Sequence, residues 1–153
     1  MSTAVYVLHV LLAFAAVAFL IVPGVFLEFV AHTHDVPFIR KAYGLMSFHG
    51  RIGGPLAFLL LPVGIWLAAL YGIPLTAGWL IASYVVYAAI ITLGVGYHTR
   101  RERTIGMLSA KSSDDAPSPE LSAALDDPLA QPMNVASALL WAVIIWLMTA
   151  RPF

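Results

Sequence analysis

Long stretches of the chain carry no charged side chain, and short polar clusters separate them. Ala4 to Leu27 is uncharged for 24 residues, Ile52 to Thr99 for 48 and Pro128 to Ala150 for 23. A bilayer core about 30 Å thick needs about 20 apolar residues in a helix rising ~1.5 Å per residue. The first and third runs are therefore one span each, and the middle run is long enough for two. Its break is legible at Tyr71-Gly72-Ile73-Pro74-Leu75-Thr76-Ala77-Gly78, where Gly and Pro punctuate an apolar stretch. The pattern predicts an all-α fold, an integral membrane bundle of four transmembrane helices at roughly 4–27, 52–71, 77–98 and 133–150. They form one transmembrane domain over residues 1–153. No motif recurs at a fixed interval, which sets aside a repeat array. The first span lacks a basic leader and ends in Pro23-Gly24-Val25-Phe26 with no small-residue cleavage site, so it reads as a retained helix rather than a signal peptide.

Composition supports the same solvent. Apolar residues make up 61% of the chain, charged residues 10%, and the mean hydropathy is +0.89; a soluble domain carries about 25% charged residues. Eight basic residues balance eight acidic ones, so nothing points to a nucleic-acid partner. There is no cysteine, hence no disulfide frame, iron–sulfur cluster or thiol nucleophile. With four spans, segments 28–51 and 99–132 share one face. Arg40, Lys41, Arg51, Arg100, Arg101, Arg103 and Lys111 fall there, against Arg151 alone on the other. Basic residues concentrate on the cytoplasmic side of membrane proteins, so these segments are expected inside and both termini outside. Tyr6, Trp66, Tyr71, Trp79 and Trp146 gather near the outer ends, as an interfacial aromatic belt would.

The two inner segments differ in kind. Asp35 caps a predicted short helix with Pro37 in its first turn, running to about Phe48. Val36, Ile39, Tyr43 and Met46 share one side of it, opposite Arg40, Lys41 and Gly44, which predicts an interfacial amphipathic helix lying on the inner leaflet. The 99–132 segment opens with the basic cluster Thr99-Arg100-Arg101-Glu102-Arg103. It then carries five carboxylates and no base from Ser112 to Gln131. Ser118-Pro119-Glu120 starts a short helix that Asp127-Pro128 ends, and the Ser/Asp/Pro-rich 111–118 stretch is expected to be a flexible, solvated linker.

Histidines are the main chemical handles. His9 alone lies toward the outer end, about 7 Å inside by helix rise. An ionisable group at that depth faces the bundle interior and has a partner. It is either an axial haem ligand or proton carrier, or simply an interhelical hydrogen bond. His49 opens the second helix and His98 closes the third. Because these helices are antiparallel neighbours, the two imidazoles are expected at similar depth, with Arg51 and Arg100 beside them. On the third helix Tyr84, Tyr87, Ile91, Gly94 and His98 form one stripe. Two imidazoles and adjacent arginines suit a haem with its propionates at the inner interface or a transition metal, and equally suit ordinary interfacial histidines beside snorkelling arginines. His32-Thr33-His34-Asp35 offers two further nitrogens without a third fixed ligand.

The second helix carries Gly50, Gly53 and Gly54, with Gly50/Gly54 in Gly-x-x-x-Gly spacing, and Pro55 and Pro62 on one face. Small residues let helix backbones approach, within the bundle or across a homo-oligomer interface. No Lys-Ser/Thr follows, so the glycines are not a phosphate cradle. There is no Ser-His-Asp order, and no carboxylate lies within a predicted span, which argues against hydrolysis, phosphoryl transfer and proton-coupled transport.

The segments Val7-Leu8-His9-Val10-Leu11, the basic cluster after the third helix, Asp127-Pro128 and Leu147-Met148-Thr149-Ala150-Arg151-Pro152 together resemble a family of bacterial four-helix integral membrane proteins of unknown function. The resemblance spans nearly the whole chain and implies residence in the bacterial plasma membrane. More distantly the chain looks like the membrane proteins grouped with copper-resistance protein D and the four-helix protoporphyrinogen oxidase. That likeness implies haem b at His9, and Met148 is the one soft ligand near its depth. The leading expectation is a non-enzymatic membrane module in contact with lipid, with His49, His98, Arg51 and Arg100 forming an inner-end site for an anionic lipid headgroup or an amphiphilic cofactor. The alternative is a haem-binding redox protein using His9, with Met148, or the His49/His98 pair.

Overall fold

The computed structural model describes residues 2–152. It is helical throughout its ordered elements: α1 (Ser2–Ala31), α2 (Val36–Leu70), α3 (Gly78–Leu93), α4 (Thr99–Lys111), α5 (Pro119–Leu125) and α6 (Ala130–Ala150). A π turn, Gly94–His98, joins α3 to α4 without a break. Four helical stretches are long and apolar enough to cross a membrane, which is the expected four-helix architecture. α1 packs along α2 and α3 along α6. The Tyr87 hydroxyl of α3 donates to the Ala57 carbonyl of α2 at 2.8 Å, tying one pair to the other. Large apolar side chains such as Phe14 (71% exposed) and Val85 (66%) cover the outside, a surface suited to acyl chains.

The 71–78 break is a turn, as its residues predict. Gly72 takes a left-handed φ of +65°, and the Gly72 and Ile73 amides return to the Ala69 and Ala68 carbonyls. This is the Schellman arrangement, which closes a helix where only glycine avoids a steric penalty. At the other end of α2, Asp35 accepts from the Phe38 amide at 3.0 Å and Pro37 sits in the first turn, as expected of that cap.

Three boundaries differ from expectation. The amphipathic 35–48 segment is not a separate helix lying on the leaflet. It is the opening of a continuous 35-residue α2. Its apolar side does form, but it faces protein: Val36, Ile39 and Tyr43 are buried with Leu27, Val30, Ile105, Leu121 and Leu125 in the main core of the molecule. Second, the chain does not leave its helix at His98 but runs on to Lys111, so the 99–132 segment opens as helix. Third, the 111–118 stretch is tethered rather than free. Arg40 donates to the Ser109 and Ser112 carbonyls at 3.0 and 2.8 Å and to Asp114 Oδ1 at 2.7 Å. Ser118 caps α5 as its sequence predicts.

These extensions build a helical cap on the end of the bundle that carries the basic residues. Each fully buried Ile or Leu in it contributes about 1.5–3 kcal/mol relative to exposure, and Ile39, Ile105 and Leu121 are wholly inaccessible.

Candidate functional site

Where the bundle meets this cap, the two helix pairs part around a cavity of about 540 Å³. Part of its wall lacks side chains. Gly24 of α1, Gly50 and Gly54 of α2 and Gly94 of the π turn all line it, and a β-carbon at any of them would meet nothing within 4 Å. The expected close helix contact at Gly50/Gly54 is therefore absent within the chain. Close approach occurs instead at Gly53, against Leu20 and Phe19, and at Gly64, against His9. Pro23 and Pro62 add to the local irregularity, since neither can donate to the helix carbonyl four residues back, at Phe19 and Phe58.

Most of the wall is apolar or aromatic, including Phe19, Ile90, Ile91, Val95 and Trp141, with the exposed Phe58 at the rim. Its polar groups come from five elements. His49 of α2 stacks on Phe48, ring centroids 4.2 Å apart, and tilts against Phe19 at 5.7 Å. Its Nδ1 is buried with no hydrogen-bond partner. His98 bonds Ser137 of α6 through Nε2 at 2.8 Å. The π turn that carries His98 has its Gly94 carbonyl satisfied by the Thr99 hydroxyl at 3.0 Å, and such turns commonly re-aim side chains at sites. Glu28 closes the cavity from α1, Glu102 from α4 and Asn134 from α6. Glu28 is neutralised by Arg101 behind it, Oε2 to Nη1 2.7 Å, in a pair whose side chains are 17% and 11% exposed. Arg101 also donates to the Leu125 carbonyl at 3.3 Å.

The structure brings His49 and His98 to one cavity, as their positions predict. It does not bring Arg51 and Arg100 there. Both are exposed and neither lines the wall. His9 lies elsewhere on α1, with its Cε1 3.1 Å from where a Gly64 β-carbon would stand and its Nδ1 buried without a partner. Met148 is half-buried on α6, and neither residue lines this cavity. The sequence reading did not single out Glu102, Arg101, Asn134 or Ser137. Glu102 was within reach: it lies four residues beyond His98, on the continuation of the Tyr87–Ile91–Gly94–His98 stripe, had the helix been extended.

Beside this cavity lies a smaller one of about 210 Å³, lined by Glu28, His32, His34, Asp126 and Asp127. His34, held at a left-handed φ of 53°, meets Asp126 Oδ1 through Nε2 at 3.1 Å. Among the described residues, no three His, Asp or Glu are arranged to hold a metal ion. Asp127 accepts from the Leu129 amide at 2.9 Å and from the Tyr97 hydroxyl at 2.7 Å. These bonds, the amide first, hold its carboxyl below the usual carboxylate range.

The chain matches, over residues 3–152, the model of a family described as "Predicted integral membrane protein (DUF2269)". It belongs to that family, which is the nearer of the two resemblances seen in the sequence; a relation to copper-resistance protein D is not shown. No curated protein and no solved structure matches the chain.

Proposed function

We propose that this member of the DUF2269 integral membrane family is a non-enzymatic binding module that holds an amphiphilic ligand in the glycine-walled cavity at the basic end of its bundle. The observation that carries the reading is the cavity itself. It combines an apolar wall with a few convergent polar groups, the make-up of small-molecule sites, and its volume lies within their range of about 300–1,000 Å³. Four glycines from three helical segments border this one space.

Charge decides among ligands. An anionic headgroup or the propionates of a haem want arginine or lysine. Here the expected arginines point away, and the ionisable wall is made of two histidines, His32 and two carboxylates. His98 is engaged by Ser137, leaving one open imidazole rather than a facing pair. The residues present therefore do not fit a haem between His49 and His98. For haem between His9 and Met148, the helix that carries His9 packs on α2, while α6, which carries Met148, packs on α3.

In this reading the protein sits in the bacterial plasma membrane with the cap in the cytoplasm and the ligand drawn from the inner leaflet. A homo-oligomer seated on Gly50/Gly54 would compete for the same wall. Mass spectrometry of extracts from protein purified in mild detergent tests the proposal. The parent should retain a stoichiometric amphiphile that Gly54→Leu loses while keeping its helix content. If both yield the same bulk-lipid profile, the cavity holds nothing specific. If Gly54→Leu instead halves the mass of the particle, the face is an assembly surface.

A further inference from the structure

We infer that the ligand is a lipid whose headgroup is an uncharged, flat ring bearing carbonyl or hydroxyl oxygens, the quinone class, and that His49, Glu102 and Asn134 are its polar contacts. This rests on the binding reading above and specifies its chemistry. The wall carries no base. Among the described residues no lysine or arginine lines it, and the Nη groups of Arg101 are engaged by Glu28 and the Leu125 carbonyl. A phosphate or carboxylate entering here would meet Glu102 and find no base on the wall, at the cost of its own desolvation.

Several polar groups on the wall remain free. His98 Nε2 is taken by Ser137, and Thr99 is committed to Gly94. The side chains with no hydrogen bond from the described residues are His49, whose Nδ1 is buried, Glu102 and Asn134. They reach the cavity from α2, α4 and α6. Together they both give and take hydrogen bonds, which suits an oxygen that is carbonyl in one form and hydroxyl in another. Three groups are also too few for a sugar or polyol.

Shape points the same way. Phe19 and Trp141 supply flat aromatic surfaces on the wall. Gly50, Gly54 and Gly94 let a ring approach bare backbone, while Ile90, Ile91 and Val95 extend the apolar wall for a prenyl or alkyl tail.

Trp141 supplies the readout. In a Trp66→Phe/Trp79→Phe/Trp146→Phe background it is the one tryptophan left of four. The reconstituted protein is titrated with decylubiquinone, with phosphatidylglycerol brominated on its acyl chains, and with haemin. The expected result is saturable quenching by decylubiquinone that Gly54→Leu abolishes and that His49→Ala and Glu102→Ala each weaken by about tenfold, the effect of one lost hydrogen bond at a buried site. Gly50→Leu, on the same wall, replaces Gly54→Leu if that protein does not fold. Saturable quenching by brominated phosphatidylglycerol or haemin, sensitive to Gly54→Leu, with none by decylubiquinone, overturns the quinone class and leaves the binding reading standing. Quenching by no probe, or quenching indifferent to both leucine variants, overturns both.

Discussion

At Gly53 a β-carbon would stand 2.6 Å from Leu20 Cδ2 and 3.1 Å from Phe19 Cβ, whereas one residue on, at Gly54, it would meet nothing within 4 Å. The two positions should therefore respond oppositely to alanine. Gly53→Ala overpacks the α1–α2 contact, a change that costs about 1–3 kcal/mol, and should lower the thermal midpoint in detergent. Gly54→Ala should leave the midpoint unchanged or raise it, because alanine is the better helix former by about 1 kcal/mol. Arg101 and Glu28 make a second residue-scale case. Removing one partner of a mostly buried ion pair strands the other charge, at a cost of up to about 3–5 kcal/mol. Arg101→Met should destabilise the cap strongly, and the double change Glu28→Met/Arg101→Met should recover much of the loss; thermal midpoints of the two variants and the parent measure both. Asp127, between α5 and α6, supplies a pH test. Its carboxyl is depressed in the folded chain, so its contribution is complete above the unfolded-chain value of about 3.9 and is lost as pH falls through the lower folded value. Asp127→Asn should be less stable than the parent at pH 7, and the gap should close on acidification below about pH 4.

At the level of elements, the opening of α2 separates what periodicity can state from what it cannot. Val36, Ile39, Tyr43 and Met46 recur at helical spacing, and the helix, its Asp35 cap and its apolar side all form. Periodicity does not say what that side meets, and a leaflet and a protein core both accept it. The core is decided by Ile105, Leu121 and Leu125, distant in sequence, and was legible only once the chain beyond His98 was known to stay helical. Nothing local announces that continuation, because Arg100, Arg101 and Arg103 resemble a stop at the membrane surface while Leu108 and Ile105 carry the helix onward into the cap. The same extension hid Glu102 from the candidate site. His49 and His98 were legible because their depth follows from counting residues, whereas the outward direction of Arg51 and Arg100 depends on helix rotation within the bundle. The two alternatives for 35–48 are separable by mutation. Ile39 is inaccessible, so Ile39→Ala should cost about 2–5 kcal/mol through the cavity it leaves. A helix resting on lipid would lose far less. The thermal midpoint of the purified protein distinguishes them.

For the whole molecule, helix length makes the strongest statement. The 35 residues of α2 extend about 52 Å at ~1.5 Å per residue, against a hydrocarbon core of about 30 Å. Roughly the excess must stand outside the membrane, and it stands at the end where α4 and α5 complete the cap. Seven of the eight Lys and Arg belong to that end. Arg40 and Arg101 are paired with Asp114 and Glu28, but orientation follows the count of basic residues and is little affected by nearby acids. The cap should therefore face the cytoplasm and the 71–77 turn the outside. Ser113 of the cap and Thr76 of the turn are both exposed, and the chain has no cysteine to give background. In intact cells a membrane-impermeant maleimide should label Thr76→Cys and leave Ser113→Cys unmodified until the membrane is permeabilised. Labelling of Ser113→Cys from outside, with Thr76→Cys protected, would invert the molecule. The cavity at the cap end would then open toward the outer leaflet, and a ligand drawn from the inner one could not reach it.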